Sequence, residues 1–348
     1  MSKILLYADN HFSENSSILR KQGLKYTLRL ENQIKCIDWI QKTAEEEKCS
    51  YIICLGDFFD KPVLTDRELT ALREIKWSEN IPNLFLVGNH ESSVNGLTYN
   101  STKALEGNNR IIINNSNFSL TLNKTQIHFI PYIIESDRLK IENYLNKNKE
   151  CNKHIILSHN DLKGIDFGKI ISKTGFELDD IEKNCDLFIN GHLHNGSYIT
   201  PKIRNLGNLT GQNFSENGLK YKHNITILDT DTLEMKDIEN PYAFKFYKLE
   251  INDLNDLQIL NKIENNSLLT IKCNENYLDE LNAQLESIKN KIIEHRIIIN
   301  KEIINSLTQS DINKLNNSLD YLDKFILFCR EKIENTEILE TELNEVCK

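Results

Sequence analysis

Five times in the first two hundred residues, an apolar, largely β-branched run ends in a small residue and then in Asp, Asn or His. Ile4–Tyr7 leads to Ala8, Asp9, Asn10 and His11, and Tyr51–Leu55 leads to Gly56, Asp57, Phe58, Phe59 and Asp60. Leu84–Val87 leads to Gly88, Asn89, His90 and Glu91, Ile155–Leu157 to Ser158 and His159, and Leu187–Asn190 to Gly191, His192, Leu193 and His194. Continuous apolar runs suit strands buried on both faces of a layered α/β domain. Small residues at strand exits let the backbone turn tightly. Side chains placed there are held by rigid elements and converge outside the carboxyl edge of a sheet. Asp9 and His11, like His192 and His194, are two residues apart, so in extended backbone each pair points one way.

The intervening sequence alternates with these strands. Asn32 to Glu47 reads as a helix with Ile34, Ile37 and Ile40 among its apolar residues. Thr65-Asp66-Arg67-Glu68 places an N-cap before a second helix reaching about Ser78. Thr125–Tyr132 reads as a strand, and Asn224–Asp229 with Thr232–Ile238 as a hairpin.

Charge marks a boundary near residue 250: residues 251–348 carry 18 acidic and 11 basic residues, against 33 and 31 in residues 1–250. Beyond it, Leu268–Cys273, Tyr277–Asn290 and Ile292–Ile299 read as a compact βαβ module. Leu319, Leu322, Ile326, Cys329 and Ile333 then lay one apolar stripe along a helix. The expected organisation is a domain over 1–248, a small module over 249–305 and a helical segment over 306–348.

Carboxylate, imidazole and one carboxamide, with no thiolate, form an oxygen and nitrogen set that suits Mn²⁺, Fe²⁺ or Zn²⁺ better than a structural zinc site would. The candidate ligands are Asp9, His11, Asp57, Asn89, His159, His192 and His194. Seven ligands for two ions require a shared bridge, for which Asp57 is the natural candidate. Paired ions about 3.5–4 Å apart can activate a water and stabilise an in-line displacement at phosphorus.

D-x-H, GD-x-x-D, GNH-E, a lone His after a strand and GH-x-H, in that order, resemble the calcineurin-type metallophosphoesterase superfamily over residues 1 to about 240. The resemblance implies an α/β fold, a four-layer α-β-β-α sandwich. It implies one divalent ion on Asp9, His11, Asp57 and His194 and a second on Asp57, Asn89, His159 and His192. It makes His90 the acid that protonates the leaving oxygen or stabilises charge on the phosphoryl group.

GNHE also resembles the Ser/Thr protein phosphatases, but Lys61 and Ser92 stand where those carry phosphate-clamping arginines. The remaining layout resembles the SbcD-type DNA repair nucleases, and length and lack of long insertions are most similar to their T-even-type phage members. A turn-rich stretch from Asn205 to Phe214, the βαβ module in the place of a DNA cap, and the apolar-striped helix in the place of ATPase-docking helices carry this likeness.

The implied function is a Mn²⁺-dependent DNA exonuclease and single-strand endonuclease of recombination and double-strand-break repair. Mg²⁺, Fe²⁺ and Zn²⁺ remain possible ions. The implied partners are DNA and an SbcC-type coiled-coil ATPase, with a homodimer inside a heterotetramer. The alternative is a phosphatase or cyclic-nucleotide phosphodiesterase acting on a small molecule or protein. Asp60 suits a turn or supporting role rather than a catalytic one. His128, His154, His223 and His295 read as packing or surface residues, and Arg20, Lys21, Lys25 and Arg29 as a basic cluster that either tracks a DNA backbone or forms a solvated helix face.

A net charge of −9 argues against a nucleic-acid ligand only if it is spread over the whole chain. Most of it lies after residue 250, and two divalent ions would turn the body's −2 into about +2. The eight cysteines are scattered without a C-x-x-C pair, which fits free thiols in a reducing cytoplasm. No apolar run reaches the length of a membrane span.

Overall fold

The computed structural model describes residues 2–14, 21–93, 96–165 and 171–300. The expected segment 306–348, with its stripe Leu319–Ile333, lies outside the described residues, as does Arg20.

Two six-stranded mixed sheets form the body. The first runs β14 (Met235–Glu239), β13 (Asn224–Asp229), β1 (Lys3–Tyr7), β2 (Tyr51–Cys54), β3 (Asn83–Leu86), β6 (Arg110–Ile113). The second runs β11 (Ser197–Tyr198), β12 (Ile203–Asn205), β10 (Leu187–Asn190), β9 (Lys153–Ser158), β8 (Thr125–Ile130), β7 (Ser119–Leu122). β1, β2, β3 and β6 are mutually parallel, as are β8, β9, β10 and β12. A short hairpin, β4 (Ser92–Ser93) and β5 (Gly96–Asn100), follows the third exit.

Residue parity builds the layers. Ile4, Leu6, Ile53, Leu84 and Leu86 of the first sheet share a core with Ile127, Phe129, Ile155, Leu157 and Ile189 of the second. Their neighbours Leu5, Tyr7, Ile52, Cys54 and Phe85 face Leu30, Ile37 and Ile40 of α1 (Leu28–Glu46) and Ala71 of α2 (Asp66–Leu72). On the outer face of the second sheet, Ile156, Phe188 and Ile203 pack against Ile181 of α3 (Leu178–Asn184). The expected four-layer α-β-β-α order results, because strands apolar on both sides must be covered on both sides.

Thr65 caps α2 as expected: its side chain accepts from the Glu68 N–H, and Glu68 accepts in return from the Thr65 N–H. The helix stops at Leu72, short of the expected Ser78. Ile75 and Trp77 still reach the core, but from a turn whose Lys76 N–H is satisfied by Asp38.

The βαβ pattern appears as β16 (Ser267–Asn274), α4 (Leu278–Ser287) and β17 (Ile292–Asn300). A further parallel strand, β15 (Lys245–Ile251), joins from upstream, giving the order β15-β16-β17. One face has its own core of Leu249, Leu257, Ile271, Leu281 and Leu285. Elsewhere Phe244, Phe246 and Leu268 pack with Phe214 and Leu28 of the body. No helix among the described residues is long and apolar enough to cross a membrane.

Candidate metal centre

The five exits come together. The loop after β1 lies on the loop after β2, with the Asp9, His11 and Phe12 amides donating to the Gly56, Asp57 and Phe58 carbonyls at 3.1, 2.9 and 2.6 Å. The second sheet closes from the other side through Gly191. A Cβ there would meet the Leu55 carbonyl oxygen at 2.4 Å. Gly56, with φ of 93°, leaves the space taken by His159, whose Nδ1 would lie 2.3 Å from an added Cβ. The small residues thus admit neighbouring ligand side chains as well as tight turns.

Asp9, His11, Asp57 and His192 hold left-handed backbone, with φ of 51°, 49°, 49° and 73°. Non-glycine residues in that region cost roughly 1–3 kcal/mol each and persist where the surroundings enforce them. Four such residues at one point mark a site built for placement rather than stability.

The ligand atoms fall into connected trios. Asp9, His11 and His194 lie within 4.8 Å of one another, as do Asp57, His159 and His192, and His11, Asp57 and His90. His11 Nε2 is 3.1 Å from His194 Nε2. Asn89 Oδ1 is 3.1 Å from His159 Nε2 and 3.0 Å from His192 Nδ1. Asp57 Oδ2 sits between the groups, 3.2 Å from His159 Nε2 and 3.9 Å from His11 Nε2. Its Oδ1 accepts the His90 N–H at 3.0 Å.

Each imidazole has an acceptor behind it. His159 Nδ1–H donates to the Leu55 carbonyl at 2.6 Å, which leaves Nε2 as a lone pair facing Asn89 and Asp57. His11 Nδ1–H donates to Asp60 at 3.1 Å, and His192 Nε2–H to Asp161 at 3.0 Å. His194 Nδ1 stands 3.8 Å from Glu216. With the outer nitrogens of His11, His159 and His192 protonated, their inner ones present lone pairs to the His194 ring and to carboxylate and carboxamide oxygens. Lone pairs facing lone pairs need a proton or a metal cation between them, and acceptors behind histidines are how proteins orient metal ligands. Asp9 Oδ1 is also buried with no hydrogen-bond partner among the described residues, a cost that a bound cation would remove. The donor set therefore fits two divalent ions.

Without ions, a proton takes the place on His159 that a metal would hold. Burial would raise the Asp57 pKa, but His159, then His11 and His90, hold its carboxyl far below the usual range. Burial opposes the charged form of His159, yet Asp57 lifts it to about 9. Burial and the Asp57 charge push Glu91 up to about 8, although it accepts the Gly88 and Phe59 amides. His90 differs from the ligand candidates in being half exposed. Its Nδ1–H donates to the Asp60 carbonyl at 3.0 Å, which leaves Nε2 to exchange a proton.

Two supporting residues escaped the sequence reading, and a third was assigned elsewhere. Asp161 follows His159 by two, a spacing that could have drawn notice. Glu216 had no local signal, and it also accepts the Gln212 amide and stands 3.8 Å from His223, which is buried and bonds the Asn208 carbonyl. Arg29 was read as part of a basic surface, either DNA-tracking or a solvated helix face, but it is buried and bonds the His11 carbonyl and Gln212. Lys25 pairs with Glu74, and Lys21 reaches the Ile293 carbonyl, so the described members of that cluster serve internal contacts.

A family model for the calcineurin-like phosphoesterases matches residues 2–196. A search of curated proteins found no match.

Proposed function

We propose, since the chain belongs to the calcineurin-like phosphoesterase family of metal-dependent hydrolases, that the ester it cleaves is a phosphodiester of DNA. One observation carries the choice of diester. Lys61 Nζ is 3.0 Å from the buried Glu68 carboxylate, and the Ser92 hydroxyl donates to the Gly88 carbonyl at 3.0 Å. Both positions are turned to internal contacts, so neither offers a free cation to clamp a terminal phosphate of nearly two charges. A diester, with one charge, has less need of that clamp. The three-stranded module beside Phe214 supports an extended substrate rather than a small one.

In this reading Asp9, His11, Asp57 and His194 hold one ion, and Asp57, Asn89, His159 and His192 the other, with Mn²⁺ the favoured metal. When bound, the pair supplies Lewis acidity and a nucleophile from water. Asp57 fixes the spacing between the two groups, Asp60, Asp161 and the Leu55 carbonyl fix the tautomers of His11, His192 and His159, and the Glu216 carboxylate stands beside His194. His90 Nε2 delivers a proton to the leaving 3′ oxygen. The partner is an SbcC-type ATPase engaged through the stripe Leu319–Ile333 by a homodimer in the cytoplasm.

The test is digestion of end-labelled linear DNA with manganese, with and without EDTA, beside a phosphomonoester. Manganese-dependent cutting supports the reading. Robust monoester turnover with no action on DNA would overturn it in favour of a phosphatase.

A further inference from the structure

We propose that Arg138 is a positioning residue for the metal centre, acting on His192 through Asp161. The inference rests on the reading of His192 as a metal ligand. Arg138 lies just outside β8, 54 residues before His192 in the chain, and has no part in the five motifs.

The relay can be followed atom by atom. His192 Nε2–H donates to Asp161 Oδ1 at 3.0 Å, which turns Nδ1 toward Asn89 Oδ1, 3.0 Å away. Asp161 Oδ2 accepts from Arg138 Nη2 at 3.4 Å. The same Nη2 donates to the Ile133 carbonyl at 2.8 Å, while Nη1 pairs with Glu135. The guanidinium lies over the Phe176 ring, 5.3 Å from its centroid, and the Phe176 amide donates back to the Asp161 carbonyl at 3.0 Å. The Arg138 side chain is only 4% exposed, whereas those of Asp161 and Glu135 are 28% and 54% exposed.

A guanidinium is a planar fork that cannot lose its proton, so it fixes direction as well as charge. Asp161 stands on a loop, and a carboxylate on a loop can rotate away or take water in place of His192. Arg138 holds its second oxygen and leaves the first for the imidazole. It is itself held on three sides, by Ile133, Glu135 and Phe176, so the restraint is rigid. Groups that orient a metal-bound histidine from behind typically change metal affinity or activity about 10–100-fold when removed. A residue that merely stapled the 133–138 loop would change stability and leave ion binding alone.

The experiment is a Mn²⁺ titration of the metal-free full chain, with ion stoichiometry and the melting temperature of the metal-free protein measured in parallel. R138Q, D161N, the double variant and H192N are compared with the parent. The expected result is that R138Q weakens one of the two ions about 10–100-fold and spares the other, that D161N does the same, and that the double variant is no worse than D161N. R138M, which keeps the stem against Phe176, replaces R138Q if the latter does not fold. Parent-like affinity for both ions in the Arg138 variant, or a double variant whose losses add, overturns the proposal. If H192N keeps both ions, the ligand reading itself has failed. If H192N loses one ion while the Arg138 variant loses none, only the Arg138 relay has failed.

Discussion

A Cβ placed on Gly88 would lie 2.1 Å from Asp57 Oδ1 and 2.6 Å from the Asp57 amide nitrogen. The carboxylate that stands between the two ligand groups therefore occupies the space a side chain at 88 would need. Backbone on one side and a carboxylate fixed by the His90 amide on the other leave little room to yield.

Gly88→Ala is accordingly expected to displace Asp57 and cut activity at least about 100-fold, since small misplacements at a catalytic site have costs of that order. Folding should survive with a lowered melting temperature. Turnover and Mn²⁺ stoichiometry measured on the same preparation check this, and a G88A protein with parent-like turnover would show that the carboxylate has room to move.

His90→Ala is expected to keep both ions and lose most cleavage. Its ring stands edge-on to His11 with centroids 4.7 Å apart, and it is the most exposed imidazole of the group. Proton transfer by a placed side chain contributes roughly 10²–10⁴-fold. Cleavage of linear duplex at the parent rate by H90A would end the assignment.

Chelation is expected to lower the melting temperature. Ligands that bind only the folded state stabilise it by about 2.7 kcal/mol at a hundred times Kd. Asp57→Asn removes the charge between His159 and His11, so Mn²⁺ should add far less to its melting temperature than to the parent's. Scanning calorimetry with and without EDTA decides, and an equal manganese increment in D57N would remove Asp57 from the bridging role.

His128 supplies a pH dependence away from the centre. It packs against His154 on the outer face of the second sheet, with Nε2 3.2 Å from His154 Nδ1. Burial, then the neighbouring His154 and Lys147, lower its pKa to about 4. A folded value below the unfolded one, about 6.5, means that the unfolded chain takes up the proton more readily. The stability is present above about pH 6.5 and is lost as pH falls toward 4. After discounting for solvent near the pair, the loss between pH 7 and pH 5 is on the order of 1 kcal/mol. Urea unfolding of metal-free parent and H128Q at both pH values tests it: the variant's pH-dependent loss should be smaller, and identical losses would refute the assignment.

Much of the centre was legible because each strand, its small exit residue and its metal-type side chain are contiguous. An apolar run followed by Gly and Asp, or by Gly, Asn and His, specifies element, turn and donor within about eight residues. The alternation of buried strands with helical stretches likewise fixed the α/β class, since strands apolar on both sides demand two covering layers. The end of α2 was misread because Ile75 and Trp77 keep an apolar spacing while packing from a turn.

What the sequence determined by itself was which residues stand at the strand exits as candidate donors and the kind of layer that carries them. Tertiary structure alone decided which acceptor stands behind each histidine, with Asp60 serving His11 across 49 residues and Asp161 serving His192 across 31. It also decided that His11 faces His194 across 183 residues, that Arg29 is buried rather than offered to solvent, and that β15 joins the small sheet. Short-range pattern records what a residue can donate and which element it sits on. Tautomer, charge state and ligand grouping follow from distances between strand ends, and those exist only once the two sheets have closed on each other.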